Sequence, residues 1–154
     1  MKHVQTINSI LEIQNAVLDA LKQNVFFAKS KIELLSENAM DIDFQISKAI
    51  GGLGIVGVVQ TPHLEFVGKD DDGHPVWQIS EFQIVFTEIP TTNRSRADAS
   101  TALDAALIAA ETVNEEIPDA TLVDIIQSDV QGMVNVVAQF KVSVQFGYKR
   151  TELN

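Results

Sequence analysis

The stretch MVNVVAQFKVSVQF, from Met133 to Phe146, is the most regular pattern in this chain. Every even-numbered residue in it is apolar, and the last four odd-numbered residues are Gln, Lys, Ser and Gln. A period of two is typical of a β-strand, whose successive side chains point to opposite faces of a sheet. The stretch therefore predicts a long strand with one face in the core and the other in contact with water.

Shorter apolar segments upstream predict further strands. In the longest of them, residues 76–88, the even-numbered residues up to Phe86 form one row, and Trp77, Ile79 and Val85 are expected on the opposite face. A polar turn at residues 68–75 joins this segment to residues 63–67, which predicts a β-hairpin. The remaining predicted strands are residues 54–60, residues 121–127 and a short strand within residues 31–35.

Three segments have the three-four spacing of apolar residues that predicts amphipathic helices. The first covers residues 7–21, with Thr6 as its expected N-cap. The second covers residues 41–50; its apolar residues also alternate like a strand, but Asp41 can cap a helix there and Gly51-Gly52 can end it. The third covers residues 97–114, with an expected buried stripe of Leu103, Ala106, Leu107, Ala110 and Val113.

The order of these segments lacks the strict alternation of strands and helices that a doubly wound sheet requires. It predicts an α+β protein with a mainly antiparallel β-sheet and two or three α-helices packed on one face. A chain of 154 residues has the common size of one domain. We therefore expect residues 1–154 to form a single domain.

Composition excludes several classes of function. The chain has 21 acidic and 11 basic residues, a formal net charge of −10, and an acidic surface repels nucleic acid phosphates. It has no cysteine, which excludes disulfides and thiol catalysis. It also has no apolar run of the roughly 18 residues that cross a bilayer, and its start does not have the pattern of a signal peptide. We therefore expect no specific nucleic-acid binding, no membrane insertion and a cytoplasmic environment.

Two motifs suggest ligand binding, but the residues and predicted elements around them do not fit such sites. Residues 52–57, GLGIVG, match the G-x-G-x-x-G pattern of dinucleotide sites, but here a helix is expected before the glycines and a strand after them. A pyrophosphate site requires the reverse order. Asp70, Asp71 and Asp72 suggest a calcium loop, but the EF-hand pattern would place Gly68 at its first ligand position. A solvated acidic hairpin tip is the better interpretation of these carboxylates.

The remaining polar residues do not form a metal or catalytic motif. His3, His63 and His74 lack the spacing of helical metal ligands, and there is no G-x-S-x-G nucleophile elbow. We therefore expect no cofactor, no metal and no enzymatic activity. A small cytoplasmic α+β enzyme or ligand-binding domain, with dispersed pocket residues, remains the alternative.

Arg94 and Arg96 stand out in an otherwise acidic chain, in a loop just before the third predicted helix. A positive charge gains nothing from a helix dipole at the N-terminus, so a carboxylate from outside, such as that of a neighbouring subunit, would compensate it. These arginines are candidates for a subunit interface. The alternative is that both are simply solvated.

The chain begins with an amphipathic helix at residues 7–21, a glycine-marked strand ending at Thr61-Pro62 and a long strand reaching residues 86–90. A loop at Asn93-Arg94, an alanine-rich helix and a last strand ending near Tyr148 follow. In this order the elements resemble the tail terminator proteins of long-tailed bacteriophages, and more loosely other tail-completion and head–tail joining proteins.

The resemblance implies a virion assembly protein that forms a ring, typically a hexamer, on the last ring of the tail tube and presents a surface to the head. Its implied partners are other copies of itself, the tail tube protein and the head–tail connector proteins. Its implied location is the virion, or the host cytoplasm during assembly. Acidic residues, with Asp70, Asp71 and Asp72 as candidates, would line a lumen through which DNA passes without adhering.

Overall fold

The computed structural model of the chain describes residues 5–7 and 9–146, with the backbone alone for Gln5, Thr6 and Phe146. His3 and Tyr148, named above, lie outside these residues. The described elements are, in chain order, β1 (Gln5–Ile7), α1 (Ile10–Gln23), α2 (Val25–Ser30), β2 (Glu33–Ser36), α3 (Ile42–Leu53), β3 (Ile55–Val59), β4 (His63–Lys69), β5 (Pro75–Glu88), α4 (Pro90–Asn93), α5 (Ala102–Glu116), β6 (Ala120–Val130) and β7 (Met133–Phe146).

β5 and β7 form the centre of one mixed, mostly antiparallel sheet. They pair antiparallel from Trp77 opposite Val144 to Glu88 opposite Val134. On the far side of β7, β6 pairs antiparallel and β1 pairs parallel. On the far side of β5, β4 and β3 pair antiparallel with successive parts of it, and β2 adds a parallel strand to β3. The α+β prediction with a mainly antiparallel sheet is confirmed, and so is the hairpin of β4 and β5.

The core lies between one face of the sheet and the helices α1, α2 and α5. The even-numbered residues of β7 from Val136 to Val144 are buried in it, as the period-two pattern predicts. On β5, Phe86 stacks on Phe27 of α2, with ring centroids 5.8 Å apart. Gly57 of β3 leaves room for this ring, because a Cβ at that position would lie 2.6 Å from it.

α3 covers the opposite face of the sheet at the edge formed by β2 and β3. Val56 and Val58 alternate with the core residues Ile55 and Val59 and therefore point away from the core, yet both are buried. α3 contacts β2 and β3, and its Ala49 is buried as well. A β-α-β unit thus forms this edge of the sheet.

The predicted facing of β5 is wrong in the first half of the strand. Alternation places Trp77 and Ile79 opposite Phe82, whereas all three lie in or against the same core. The cause is a register shift between Ile79 and Phe82, where Glu81 has the left-handed conformation with φ 52°. Such a bulge inserts an extra residue and reverses the facing of every residue before it.

The helices begin and end at other residues than the sequence predicts. α1 starts at Ile10 and is capped by the side chain of Ser9, while Thr6, the predicted N-cap, belongs to β1. α3 ends at Leu53, beyond the predicted stop at Gly51-Gly52, and its C-cap Gly54 has the left-handed conformation with φ 78°. A glycine tolerates this conformation because it has no Cβ, so the kind of signal was right and its position wrong.

α5 presents alanines to the sheet. Leu103 and Leu107, predicted to be buried, are 41% and 46% exposed, whereas Ala106, Ala110 and Val113 of the predicted stripe are buried. Small side chains let the helix axis approach the sheet closely. The fully buried residues that complete this face are Ala102, Ala105 and Ala109.

Candidate functional site

A buried carboxylate, Glu88, lies beneath the loop that carries Arg94 and Arg96. Glu88 is the last residue of β5, and its side chain is fully buried. Its Oε2 accepts hydrogen bonds from Asn93 Nδ2 at 2.7 Å and Arg94 Nε at 3.0 Å. Its Oε1 accepts from Arg94 Nη2 at 3.2 Å and from the Ala102 amide at 3.1 Å. The carboxylate therefore ties α4 and the arginine loop to the first turn of α5.

Asn93 connects the residues of this cluster. It is buried, its Nδ2 donates to Glu88 and to the Ser100 carbonyl, and its Oδ1 accepts from Arg96 Nη2 at 2.8 Å. The one-turn helix α4, which begins at Pro90 within the predicted loop, turns the chain back over the end of β5 and places Asn93 there. The arginine loop is thus held by a hydrogen-bond network of its own chain.

Arg94 finds a compensating carboxylate within its own chain. Its Nε lies 3.0 Å from Glu88 Oε2, and its side chain is 52% exposed. Arg96 approaches Asp98 at 3.8 Å, and its Nε is buried without a hydrogen-bond partner among the described residues. The expected carboxylate of a neighbouring subunit is therefore not required for Arg94. The interface role of Arg94 and Arg96 stays a prediction.

The pairing shifts the pKa values of both partners. Burial by itself raises the pKa of Glu88, but hydrogen bonds from Arg94 and from two neighbouring donors outweigh it and hold this pKa below its ordinary value. The hydrogen bonds to Glu88 and the charge of Glu88 raise the pKa of Arg94, with smaller contributions from Asp104 and Asp129. Glu88 is therefore ionised at neutral pH and acts as a paired structural charge.

Asp70, Asp71 and Asp72 lie at the tip of the hairpin formed by β4 and β5. Asp70 Oδ1 accepts from the backbone N–H groups of Asp72 at 3.0 Å and His74 at 2.8 Å, and its Oδ2 accepts from Gln145 Nε2 at 2.9 Å. These hydrogen bonds, that from Gln145 foremost, lower the pKa of Asp70. Asp70 closes the turn, while Asp71 and Asp72 are exposed.

The same turn brings three possible metal ligands together. Ligand atoms of Asp70, Asp72 and His74 lie within 4.8 Å of one another, which is close enough to share a cation. Both oxygens of Asp70, however, already accept hydrogen bonds from the protein, and Asp72 and His74 are exposed. The hydrogen bonds of the turn account for the position of Asp70.

The two groups of predicted site residues do not come together. The acidic tip precedes β5 and the arginine loop follows it, so they lie at opposite ends of a strand of 14 residues. At about 3.3 Å per residue this strand is roughly 40 Å long. The arginine loop and the acidic tip are therefore separate regions of the surface.

Sequence reasoning missed Glu88 and Asn93. For Glu88 a signal exists, because it continues the even-numbered row of Phe82, Ile84 and Phe86 and is thereby placed on the core face. A carboxylate at such a position needs a partner. For Asn93 the sequence carries no comparable signal, because its partners depend on how α4 turns the chain.

Comparison with protein-family models found no match for this chain, and comparison with curated proteins found none. The resemblance to tail terminator proteins therefore stays a prediction that rests on the order of the elements. Among the described residues, no helix combines the length and the apolar character needed to cross a membrane.

Proposed function

We propose that this chain is a virion assembly protein of the tail terminator kind, which forms a ring at the end of the tail tube and joins it to the head connector. The observation that carries the proposal is that the sheet has two different lateral edges, β2 and β4 on one flank and β6 and β1 on the other. Within the described part of the chain, each of these strands pairs on one side only. A subunit with two unlike edges can contact one neighbour on each side, as a closed ring requires.

The arrangement of the elements supports the proposal. The elements follow one another in the order on which the resemblance rests: α1, β3 before Thr61-Pro62, the long strand β5, the arginine loop, the alanine-rich α5 and the final β7. The polar cluster around Glu88 fits a structural protein, because its hydrogen bonds hold the end of β5, α4 with the arginine loop, and the start of α5 together.

The charge of the chain supports a ring through which DNA passes. A formal net charge of −10 gives an acidic wall that repels phosphates, so DNA moves past it without adhering. Asp71 and Asp72 at the exposed hairpin tip are candidates for residues that face the lumen. The purified protein is accordingly expected not to retain duplex DNA on a filter at physiological salt.

The test is to mix the purified protein with self-assembling tail tube protein from the same genome and to image the product by electron microscopy. The expected result is a ring at one end of each tube and a shorter, narrower distribution of tube lengths than in tube protein alone. An unrelated acidic protein of the same size is the control. Bare tube ends with unchanged lengths at saturating concentrations would refute the proposed function.

A further inference from the structure

The one-turn helix α4, which leads into the arginine loop, is held from two sides. On one side Asn93 Nδ2 donates to the buried carboxylate of Glu88. On the other side lies Gly54, the C-cap of α3, whose carbonyl accepts a hydrogen bond from the Ile89 amide at 2.8 Å. α4 therefore connects the end of α3 with the buried carboxylate.

The contact between Gly54 and α4 leaves no room for a side chain. A Cβ at Gly54 would lie 2.7 Å from the amide nitrogen of Asn93 and 2.9 Å from Cβ of Thr92. Both distances are well below the roughly 3.5 Å at which non-bonded carbon atoms pack best. By contrast, a Cβ at Gly132, where φ is 80° and thus close to that of Gly54, would meet nothing within 4 Å. Gly54 is therefore required by its neighbours as well as by its backbone conformation.

An obstacle at Gly54 would displace α4 and leave β3 in place. β3 follows Gly54 directly, pairs with β2 on one side and with β5 on the other, and is buried along its whole length. α4 has only four residues and continues into a loop. Because few hydrogen bonds and buried contacts resist a shift of α4, it moves first. Such a shift carries Asn93 and Arg94 away from Glu88.

We infer that the backbone contact at Gly54 and the hydrogen bonds of Glu88 form one conformational device, in which loss of either contact releases α4 and the arginine loop. The two contacts are coupled because both require the same position of α4. A partner that moves the end of α3 therefore changes the position of Arg94, and by reciprocity a group bound to Arg94 acts on the end of α3. This inference does not depend on the tail terminator function.

A double-mutant cycle tests the coupling. Gly54→Ala places a Cβ against Asn93 from one side, and Glu88→Gln weakens the hydrogen bonds on the other side. Glu88→Gln should lower the free energy of unfolding at most about half as much in Gly54→Ala as in the wild type, because a displaced α4 no longer brings its donors to the carboxylate. Urea denaturation of the four proteins at pH 7 measures these losses. Equal losses in the two backgrounds would overturn the inference.

Gly132→Ala is the matched control for the backbone conformation. It imposes the same strain of an alanine at positive φ but creates no clash. Gly54→Ala should therefore unfold at a lower urea concentration than Gly132→Ala, and Glu88→Gln should have its full effect in the Gly132→Ala background. A common unfolding midpoint for the two alanine variants would show that the contact with α4 is not tight, which contradicts the inference.

Hydrogen exchange shows whether α4 is released. The Asn93 amide donates to the Ile89 carbonyl at 2.9 Å and so reports on the single turn of α4. In Gly54→Ala this amide should exchange at least about tenfold faster than in Gly132→Ala, because the turn then opens locally. The same exchange rate in both variants would mean that α4 stays in place and would refute the proposed release.

Asn93→Ala keeps the inference testable if Gly54→Ala does not fold. It removes the side chain that binds Glu88 and leaves the backbone contact at Gly54 unchanged. The Ile89 amide, which donates to the Gly54 carbonyl, should nevertheless exchange at least about tenfold faster than in the wild type. The control is Asn135→Ala, which removes a side-chain hydrogen bond to Thr87 outside α4 and should leave this rate unchanged. An unchanged rate at Ile89 in Asn93→Ala would show that the two contacts are independent.

Discussion

Replacing Glu88 with glutamine should destabilise the fold much more than the same change at the exposed Glu65. Glutamine fits the same space, but one carboxylate oxygen becomes an NH2 group that faces two donors of the cluster around Asn93, Arg94 and Ala102. An unpaired buried donor costs about 1–3 kcal/mol, and the charge-assisted bonds to Arg94 are weakened as well. Because Arg94 is 52% exposed, water can solvate its freed N–H groups. We therefore expect Glu88→Gln to lower the free energy of unfolding by about 2–3 kcal/mol in total.

Urea denaturation at pH 7, followed by circular dichroism, measures this loss. The control Glu65→Gln removes the same charge from an exposed position on β4 and should change the free energy of unfolding by less than about 0.5 kcal/mol. If the two variants lost the same free energy of unfolding, the buried hydrogen bonds of Glu88 would not stabilise the fold.

The difference in free energy of unfolding between the wild type and Glu88→Gln should depend on pH. The pKa of Glu88 is lowered in the folded state from its ordinary value of 4.5, so below that value the unfolded chain binds a proton that the folded chain still excludes. The stabilisation from ionised Glu88 is thus complete above about pH 4.5 and is lost as pH falls through the folded pKa. The difference in free energy of unfolding between wild type and Glu88→Gln should therefore become smaller in acid. A gap that stays constant from neutral pH into acid would contradict the lowered pKa.

Two further predictions concern the core and the hairpin tip. Phe140→Ala should lower the free energy of unfolding by about 3–5 kcal/mol, because Phe140 is buried. Gln139→Ala on the opposite face of β7 should lower it by less than about 1 kcal/mol. Equal losses in the denaturation experiments would mean that the core face is assigned wrongly. The melting temperature should be the same with and without a chelator, because hydrogen bonds already hold the turn at Asp70; a fall of several degrees would show that the native state binds a cation there.

The sequence predicts β7 and the β4–β5 hairpin well because many residues carry the same information. In β7 the period of two is maintained over 14 residues, so the buried face follows from the pattern as a whole. β5 shows where such reasoning stops. A single bulge at Glu81 reverses the facing of Ile79, and the sequence around it contains no glycine that would mark the left-handed position.

The hydrogen-bond partners of Glu88 could not be predicted from the sequence, for a different reason. That a carboxylate falls on the core face can be read from the alternation of β5, so the need for a partner is predictable. Which partner it finds is not, because the four-residue helix α4 decides whether Asn93 and Arg94 reach back over the strand. Hydrogen-bond partners of this kind depend on the path of a short turn, which apolar periodicity does not encode.

The wrong prediction for α5 and the open edge of β6 concern the same flank of the fold. Leu103 and Leu107 fit the helical period as well as the alanines do, so α5 is apolar on two sides, of which the monomer buries only the alanine side. Burying the leucines against the sheet would hold the helix farther from it and leave the small residues in contact with water. Isolated exposed leucines are common and need no explanation, but here they accompany a strand that has one unpaired edge and four further exposed apolar residues. A second burial partner on this flank would make both sides of α5 useful.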